Sequence, residues 1–493
     1  MKKISGVLFL ILLFLFQTNC AVVAENGSRT TDILSDAWLH VSGNKIVNAK
    51  GDTVYLRGFG LGGMLHMENF INGFPANEEA FREGLLHVLG KKKYDLFFNE
   101  FYNNYFTKPD AEYIHHLGLN LIRIPINYRL FEDDMNPGVI KKEAFNYLDK
   151  VIQLCAEQEI YTIIDLHALP GYQNQDWHSD NPTHKALFWK HKDFQDRAVK
   201  LWQVIAERYK NQPWVAGYDL INEPADPTEK MLVPVYRRLY ETIRKIDQKH
   251  IMFLEGNKYA NDFHMFDEVW ENIVYTNHDY QLCGFISGGD YPGYSYGQYF
   301  DKEKVKKDFI DRCEFMFKNN VPVWVGEFGP VYTGVPKKDE MRYSLLMDQL
   351  NNYKKYEVSW CIWLYKDLGL QALLYQDKNT LWMKLTSDFI NRKNRLGVDS
   401  WGSPDDSIRW MLSPVYELFR KEFPDYQPFP FGQNFTINRI VKHILIAEAL
   451  VPEFCALFKG MTDEELIELA QSFNFRNYNK RDRLESILSK AED

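Results

Sequence analysis

The sequence predicts an α/β protein: a (β/α)8 TIM barrel with an N-terminal β-hairpin, long βα loops and a C-terminal helical appendage. Three observations lead there. Eight short β-rich runs recur along the chain, and amphipathic stretches at helical spacing lie between them. The interiors of the runs are apolar rather than alternating, as strands covered on both faces are. Alternating strands and helices in that number suggest a closed parallel ring rather than an open sheet. The chain has 493 residues, more than one core usually holds, and barrels reach this size through loop insertions.

In chain order, the first segment reads as a targeting signal. Lys2 and Lys3 precede an apolar run from Val7 to Phe16 that is too short for a stable membrane span. Val22-Val23-Ala24 offers a small-residue cleavage site, so residues 1–24 are expected to be removed and the protein exported, to the exterior or the periplasm. A competing reading anchors the chain through a lipidated Cys20, for which the preceding Asn19 fits poorly. Next, WLHVSGNKIVNAKGDTVYLRG predicts a hairpin with turns at Gly43-Asn44 and Gly51-Asp52.

The eight runs are TVYLRGFG (53–60), LNLIRIPIN (119–127), YTIIDLHA (161–168), VAGYDLINEP (215–224), HIMFLEG (250–256), NIVYTNHD (272–279), VPVWVGEFG (321–329) and VSWCIWLY (358–365). Helical stretches such as 142–158 and 230–248 separate them. A long insertion follows the first run, over roughly 61–110, and another follows the eighth. The catalytic domain is expected over 38–425. Beyond it, 426–493 carries two helical stretches, the second opened by a capping box from Thr462 to Glu465. This tail shows no recognisable chemistry and is expected to dock on the barrel. Five cysteines beyond Cys20 (Cys155, Cys283, Cys313, Cys361 and Cys455) lack metal or redox spacing and read as buried free thiols.

Composition narrows the partners. A formal net charge of −9 argues against nucleic acid and against an anionic membrane surface. Aromatic residues make up 15% of the chain, a surplus that suits flat amphipathic ligands such as sugars, although core packing accounts for many of them.

In a parallel barrel the chemistry gathers at the C-terminal ends of the strands. Reading each run to its end gives Arg123, His167, Asn222-Glu223, Glu255, His278 with Tyr280, Glu327 and Trp363. So many polar groups beside apolar runs must satisfy one another or a ligand. Glu223 and Glu327 come from the fourth and seventh runs, which face each other across the mouth. Two carboxylates across an aromatic cleft are what glycosidic cleavage requires, one holding a proton and one ionised. Arg123 is expected to hold one carboxylate ionised, Asn222 to bond a sugar hydroxyl, Tyr280 to bond the nucleophile and Trp363 to face a sugar ring. His167 and His278 are expected to bind hydroxyls or tune the acid, since they lack metal-site spacing. Tyr172, Trp177, Tyr291 and Trp401, on long loops, are possible subsite aromatics.

These positions, Arg123 in LIRIPIN, His167 in DLHALPG, Asn222 and Glu223 in LINEP, His278 and Tyr280 in HDY, Glu327 in GEFGP and Trp363 in IWLY, resemble glycoside hydrolase family 5. LRGFGLGGMLHMENF and HALPGYQNQDWHSDNP resemble the branch of exo-β-1,3-glucanases and glycoceramide-cleaving enzymes. The resemblance covers roughly 38–425. It implies a retaining double displacement on an oligo- or polysaccharide, with Glu327 as nucleophile and Glu223 as acid and then base, and with no metal or organic cofactor. Retaining geometry sets the carboxyl groups about 5–5.5 Å apart. A pocket acting on β-glucosides or chain ends is preferred. Endo-cleavage of a β-glucan, transglycosylation on the same fold and a non-catalytic carbohydrate-binding protein are the alternatives.

Overall fold

The computed structural model describes residues 36–399, 401 and 406–489. The expected signal over 1–24, with Cys20 and Ala24, lies outside them, as does part of the loop after the eighth run. All eight predicted runs form strands of one closed, parallel barrel: β1 (Arg57–Gly60), β2 (Leu121–Asn127), β3 (Tyr161–Ala168), β4 (Val215–Asp219), β5 (Ile251–Glu255), β6 (Ile273–His278), β7 (Val323–Phe328) and β8 (Ser359–Ile362). Neighbours in sequence are neighbours in the ring, and β8 closes on β1 with Trp360 opposite Arg57. Two expectations shift in register. β4 ends at Asp219, so Asn222 and Glu223 stand on the turn beyond the strand rather than in it. Arg123 lies inside β2 rather than at its end.

The period of two in each strand sorts its side chains. From β2, Ile122, Ile124 and Ile126 join the large core between the barrel and its helices, whereas Leu121 packs in the barrel interior. In β5, Met252 and Leu254 face outward and Ile251 and Phe253 inward, with Glu255 continuing the inward series. β3 repeats this, with Tyr161 and Ile163 in the lower interior and Asp165 and His167 above them. The lower interior is therefore apolar and the upper interior charged.

The predicted hairpin forms between His40–Ser42 and Lys45–Val47, turning at Gly43, whose φ of +59° suits a residue without a Cβ. Its Leu39 and Ile46 enter the same cluster as Leu121, Ile163, Phe253 and Trp324, so the hairpin stoppers the N-terminal end of the barrel.

The insertion after β1 is largely helical. Glu78–Tyr105 forms one long helical element broken at Gly90, and Lys108–His116 is the helix that returns the chain to β2. The C-terminal tail packs on that insertion. Phe454 meets Phe81 edge-on at 5.8 Å and Phe458 meets Phe97 at 6.1 Å, within the same core cluster as the barrel. Tyr478–Lys480 even pairs antiparallel with Leu374–Gln376 of the loop after β8. The capping box closes on Asp463–Gln471, with the Thr462 and Glu465 side chains each bonding the other's backbone. All five described cysteines are buried free thiols. Among the described residues no helix is long and apolar enough to cross a membrane.

Candidate active site

The inward series of the strands converges on Arg123, which is fully buried. Its Nε donates to Asp219 Oδ2 at 3.0 Å, and its Nη2 to Asn222 Oδ1 at 2.8 Å and Glu255 Oε1 at 3.1 Å. Its Nη1 donates to Glu327 Oε1, and Asp165 Oδ2 stands 3.2 Å from Nη2. One guanidinium thus serves four buried carboxylates. Burial pushes the acids of Asp165 and Asp219 well above the ordinary range, against the pull of Arg123. Arg123 itself stays firmly charged, because the carboxylates outweigh its own desolvation.

Glu327 and Glu223 face one another above this base. Glu327 takes Arg123 on one oxygen and the Tyr280 hydroxyl on the other, at 2.9 Å, which is the contact expected of Tyr280. Glu223 takes His278 Nδ1 at 2.7 Å on Oε1 and His178 Nε2 at 2.9 Å on Oε2. His278 Nδ1 is also 3.7 Å from Glu327 Oε2, and one carboxylate oxygen of Glu223 lies within 4.8 Å of one of Glu327. The Glu223 backbone N–H donates to Glu255 Oε2 at 2.6 Å, and its φ is +44°. A non-glycine residue in this region costs of order 1–3 kcal/mol and persists where surrounding contacts over-determine it. Here Glu255 and the Asn174 amide, which donates to the Glu223 carbonyl at 3.1 Å, provide them.

The two carboxyls differ in electrostatics. Burial raises both, but at Glu223 the hydrogen bonds of His178 and His278 outweigh it and hold the carboxyl low. At Glu327 burial prevails over His278 and Arg123, and its carboxyl is raised. Despite burial, His278 is raised well above the ordinary histidine value by Glu255 and Glu327, and His178 is raised by Glu223. Glu223 and its two histidines therefore form one coupled, proton-sharing unit, since the hydrogen bonds that lower the carboxyl raise the imidazoles.

His167 differs from them. Burial and the nearby His66 lower it well below the ordinary value, so it is neutral. Its Nδ1–H donates to Asp165 Oδ2 at 2.7 Å, leaving Nε2 to accept from Asn222 Nδ2 at 3.2 Å. The Asn222 amide is thereby fixed, with its second N–H left for a ligand hydroxyl. His66, Glu68 and His167 bring one donor atom each within 4.8 Å, a spacing that also suits a cation. With both His167 nitrogens engaged, no lone pair remains there for a metal, and the trio suits hydroxyl groups better. Glu68 adds a fully buried carboxyl, raised by burial and by the Glu327 and Glu223 charges, with Oε1 unbonded.

Trp363 lies over the backbone of Gly60 and Gly62, where a Cβ would stand 2.5 and 2.8 Å from the indole. It stacks on His167 with centroids 5.3 Å apart at 7°. Trp177, Phe70 and Trp401 share its cluster, and Tyr280 packs against Trp401 at 5.1 Å. Two of the four loop aromatics thus join the mouth and two do not. Tyr172 instead directs its hydroxyl to Arg129 at 3.3 Å, within an ion-pair network involving Glu79, Asp134 and Asp180. Tyr291 bonds Asp348 at 2.6 Å and packs with Cys283, Phe300, Val305 and Leu345. Both are structural, because each phenol finds its partner in the loop scaffold.

Sequence reading missed His178, Glu68 and the anchoring role of Glu255. His178 sits in the loop after β3, where no periodicity marks it. Glu68 follows a turn rather than a strand.

Similarity to known proteins agrees with this geometry. The family model of cellulases, described as glycosyl hydrolase family 5, matches residues 83–369. A "Beta-xylosidase" of Phanerodontia chrysosporium is 43% identical over 92% of this chain and 98% of its own. A "Probable glucan 1,3-beta-glucosidase A" of Aspergillus clavatus is 29% identical over 50% of this chain and 65% of its own. "Endoglucanase C" of Acetivibrio thermocellus is 23% identical over 61% of this chain and 95% of its own. With its barrel, its facing carboxylates and a family match over most of the chain, this protein belongs to glycosyl hydrolase family 5 and is a glycoside hydrolase.

Proposed function

We propose that the protein is an exported, retaining β-glycosidase that removes terminal sugars from β-glucosides, β-glucans or β-xylosides. The observation that carries the mechanism is the spacing of Glu223 and Glu327. One oxygen pair within 4.8 Å supports the close spacing of about 5–5.5 Å between carboxyls in retaining enzymes over the about 6.5–9.5 Å of inverting ones.

Glu327 attacks the anomeric carbon, and the bond to the leaving oxygen breaks as a glycosyl ester forms. Arg123 and Tyr280 aim Glu327 and favour its ionised form, against the burial that raises its carboxyl. Glu223 transfers a proton to the departing oxygen. When sugar expels water, the charged imidazolium–carboxylate pair is the costlier tautomer, so the shared proton moves onto Glu223. Glu223 then takes a proton from water, which attacks the ester and releases Glu327. Asn222, fixed by His167, and Glu68 offer hydroxyl partners, and Trp363 offers the ring face.

The sugar class rests on the relatives. One similar over nearly its whole length is named for β-xylosides, and others for β-glucans. Glucose and xylose share equatorial hydroxyls at C2, C3 and C4, which this polar floor suits. Export is supported by the charged and apolar pattern of Lys2 to Phe16. The test is proton NMR of an aryl β-glucoside and β-xyloside digest. The β-anomer of the free sugar should appear first, followed by mutarotation, and initial release of the α-anomer would overturn the retaining mechanism.

A further inference from the structure

We propose that the C-terminal segment 431–443 is part of the active site: it cages His178 and so positions the proton donor. This rests on the assignment of Glu223 as acid and base. His178 stands on a short turn, Trp177–Ser179, with Asp176 as the residue before it. Its imidazole bonds Glu223 and lies between two rings, Trp177 at 5.6 Å and Tyr259 at 5.8 Å. All three neighbours that fix it, Asp176, Trp177 and Tyr259, are held from outside by the tail.

Arg439 Nε lies 2.7 Å from Asp176 Oδ1, an ion pair without hydrogen-bond alignment, and the other Asp176 oxygen accepts from the Tyr259 hydroxyl at 3.3 Å. Phe431 packs on Tyr259 with centroids 5.3 Å apart. His443 lies 6.2 Å from Trp177 and 3.4 Å, by Nε2, from Arg439 Nη1. Burial and the Arg439 charge keep His443 neutral, so it adds no second cation beside the pair. The other groups facing His178 are Asn174, whose Nδ2 is 2.9 Å from Nε2, and His66, His167 and Glu327 within the same polar floor.

The backbone of the segment is itself unusual. Gly432–Arg439 is α-helical, then Ile440–Ile446 widens to a π-helix before Ala447–Ala456 resumes the α form. Such widening recurs at functional sites. Here it lies between Arg439 and the packed helix behind, where it carries His443. The rest of the tail is anchored elsewhere, by Phe454 and Phe458 on the insertion helix and by Tyr478–Lys480 on the loop after β8. Within 431–443, Arg439 and His443 reach the loop bearing His178 and Phe431 reaches Tyr259, while Ile437 packs with Ile408 and Leu412.

A loosened His178 would leave Glu223 with one imidazole and more solvent. The loss should fall on substrates whose leaving oxygen needs a proton. Arg439→Ala is compared with Arg439→Lys and wild type on two β-glycosides of the same sugar, one with an alkyl aglycone and one with 2,4-dinitrophenol. Arg439→Ala is expected to lower kcat/KM on the alkyl glycoside about tenfold, to stay within about twofold on the dinitrophenyl glycoside, and to shift the alkaline limb of the pH profile. Arg439→Lys should restore most of the loss. Equal losses on both substrates, or none on either, overturn the proposal. If instead wild type hydrolyses neither substrate, the functional assignment itself fails.

Discussion

The two ends of the barrel are built from the same strands and follow opposite rules. At the N-terminal end the inward residues Leu121, Tyr161, Ile163, Ile251, Phe253, Val274 and Trp324 pack with the hairpin's Leu39 and Ile46. Two or four residues further along each strand, the inward residues become Arg123, Asp165, His167, Glu255 and His278. The lower end gains from burial, at roughly 25 cal/mol for each Å² of apolar surface. The upper end loses by desolvating like charges and is tolerated because every strand below it is anchored. Stability and chemistry are thus separated by about two residues of strand, or some 7 Å.

Substitutions at the two ends should therefore behave oppositely. The largest effect is expected at the mouth. Glu327→Gln should lower kcat by at least about 10^4-fold and Glu223→Gln by about 10^2- to 10^4-fold on an alkyl glycoside. Thermal unfolding of Glu327→Gln should show a Tm equal to or above wild type, because the raised acid is relieved of a buried charge. A lowered Tm with retained turnover would erase the distinction between the ends.

At the base, Leu121→Ala should cost about 2–5 kcal/mol in denaturant unfolding while leaving kcat within about twofold. Leu121 is fully buried and lies one inward position below Arg123. A large fall in kcat without loss of stability would mean that the base positions the acids directly.

The smallest and most diagnostic effect is in pH dependence. Burial raises Glu68 well above its ordinary value in the folded state. A carboxyl whose pKa is raised on folding costs stability as pH climbs from the unfolded value through the folded one, and costs nothing below both. Glu68→Gln should therefore raise Tm relative to wild type more at pH 8 than at pH 4. An equal difference at both values would show that folding leaves the Glu68 carboxyl at its ordinary value.

Much of this contrast was legible in the sequence, for a physical reason. The apolar runs and the polar residues that end them are local features, and a parallel barrel converts local order along a strand into height above a common floor. Thus Glu223 and Glu327 could be paired although Glu223 follows β4 and Glu327 lies in β7. The exact ends of strands were not legible: the turn that swings Glu223 to positive φ is fixed by Glu255 and Asn174, neither of which is its neighbour in sequence. Tyr172 and Tyr291 misled because an aromatic on a loop looks the same whether its hydroxyl meets an internal partner or a ligand. His178 and Arg439 escaped notice because their meaning depends on a contact across the whole chain, Arg439 with Asp176.

The central claim is that the two carboxyls have different tasks, Glu327 forming the glycosyl ester and Glu223 moving the proton. Azide rescue of each alanine variant on a dinitrophenyl β-glycoside tests it directly, since the small anion fills whichever place a carboxylate has vacated. Glu327→Ala should yield the α-glycosyl azide, by direct displacement from the nucleophile's face, and Glu223→Ala the β-glycosyl azide, by attack on the ester at Glu327. The reverse pairing, or the same anomer from both variants, would contradict the assignment.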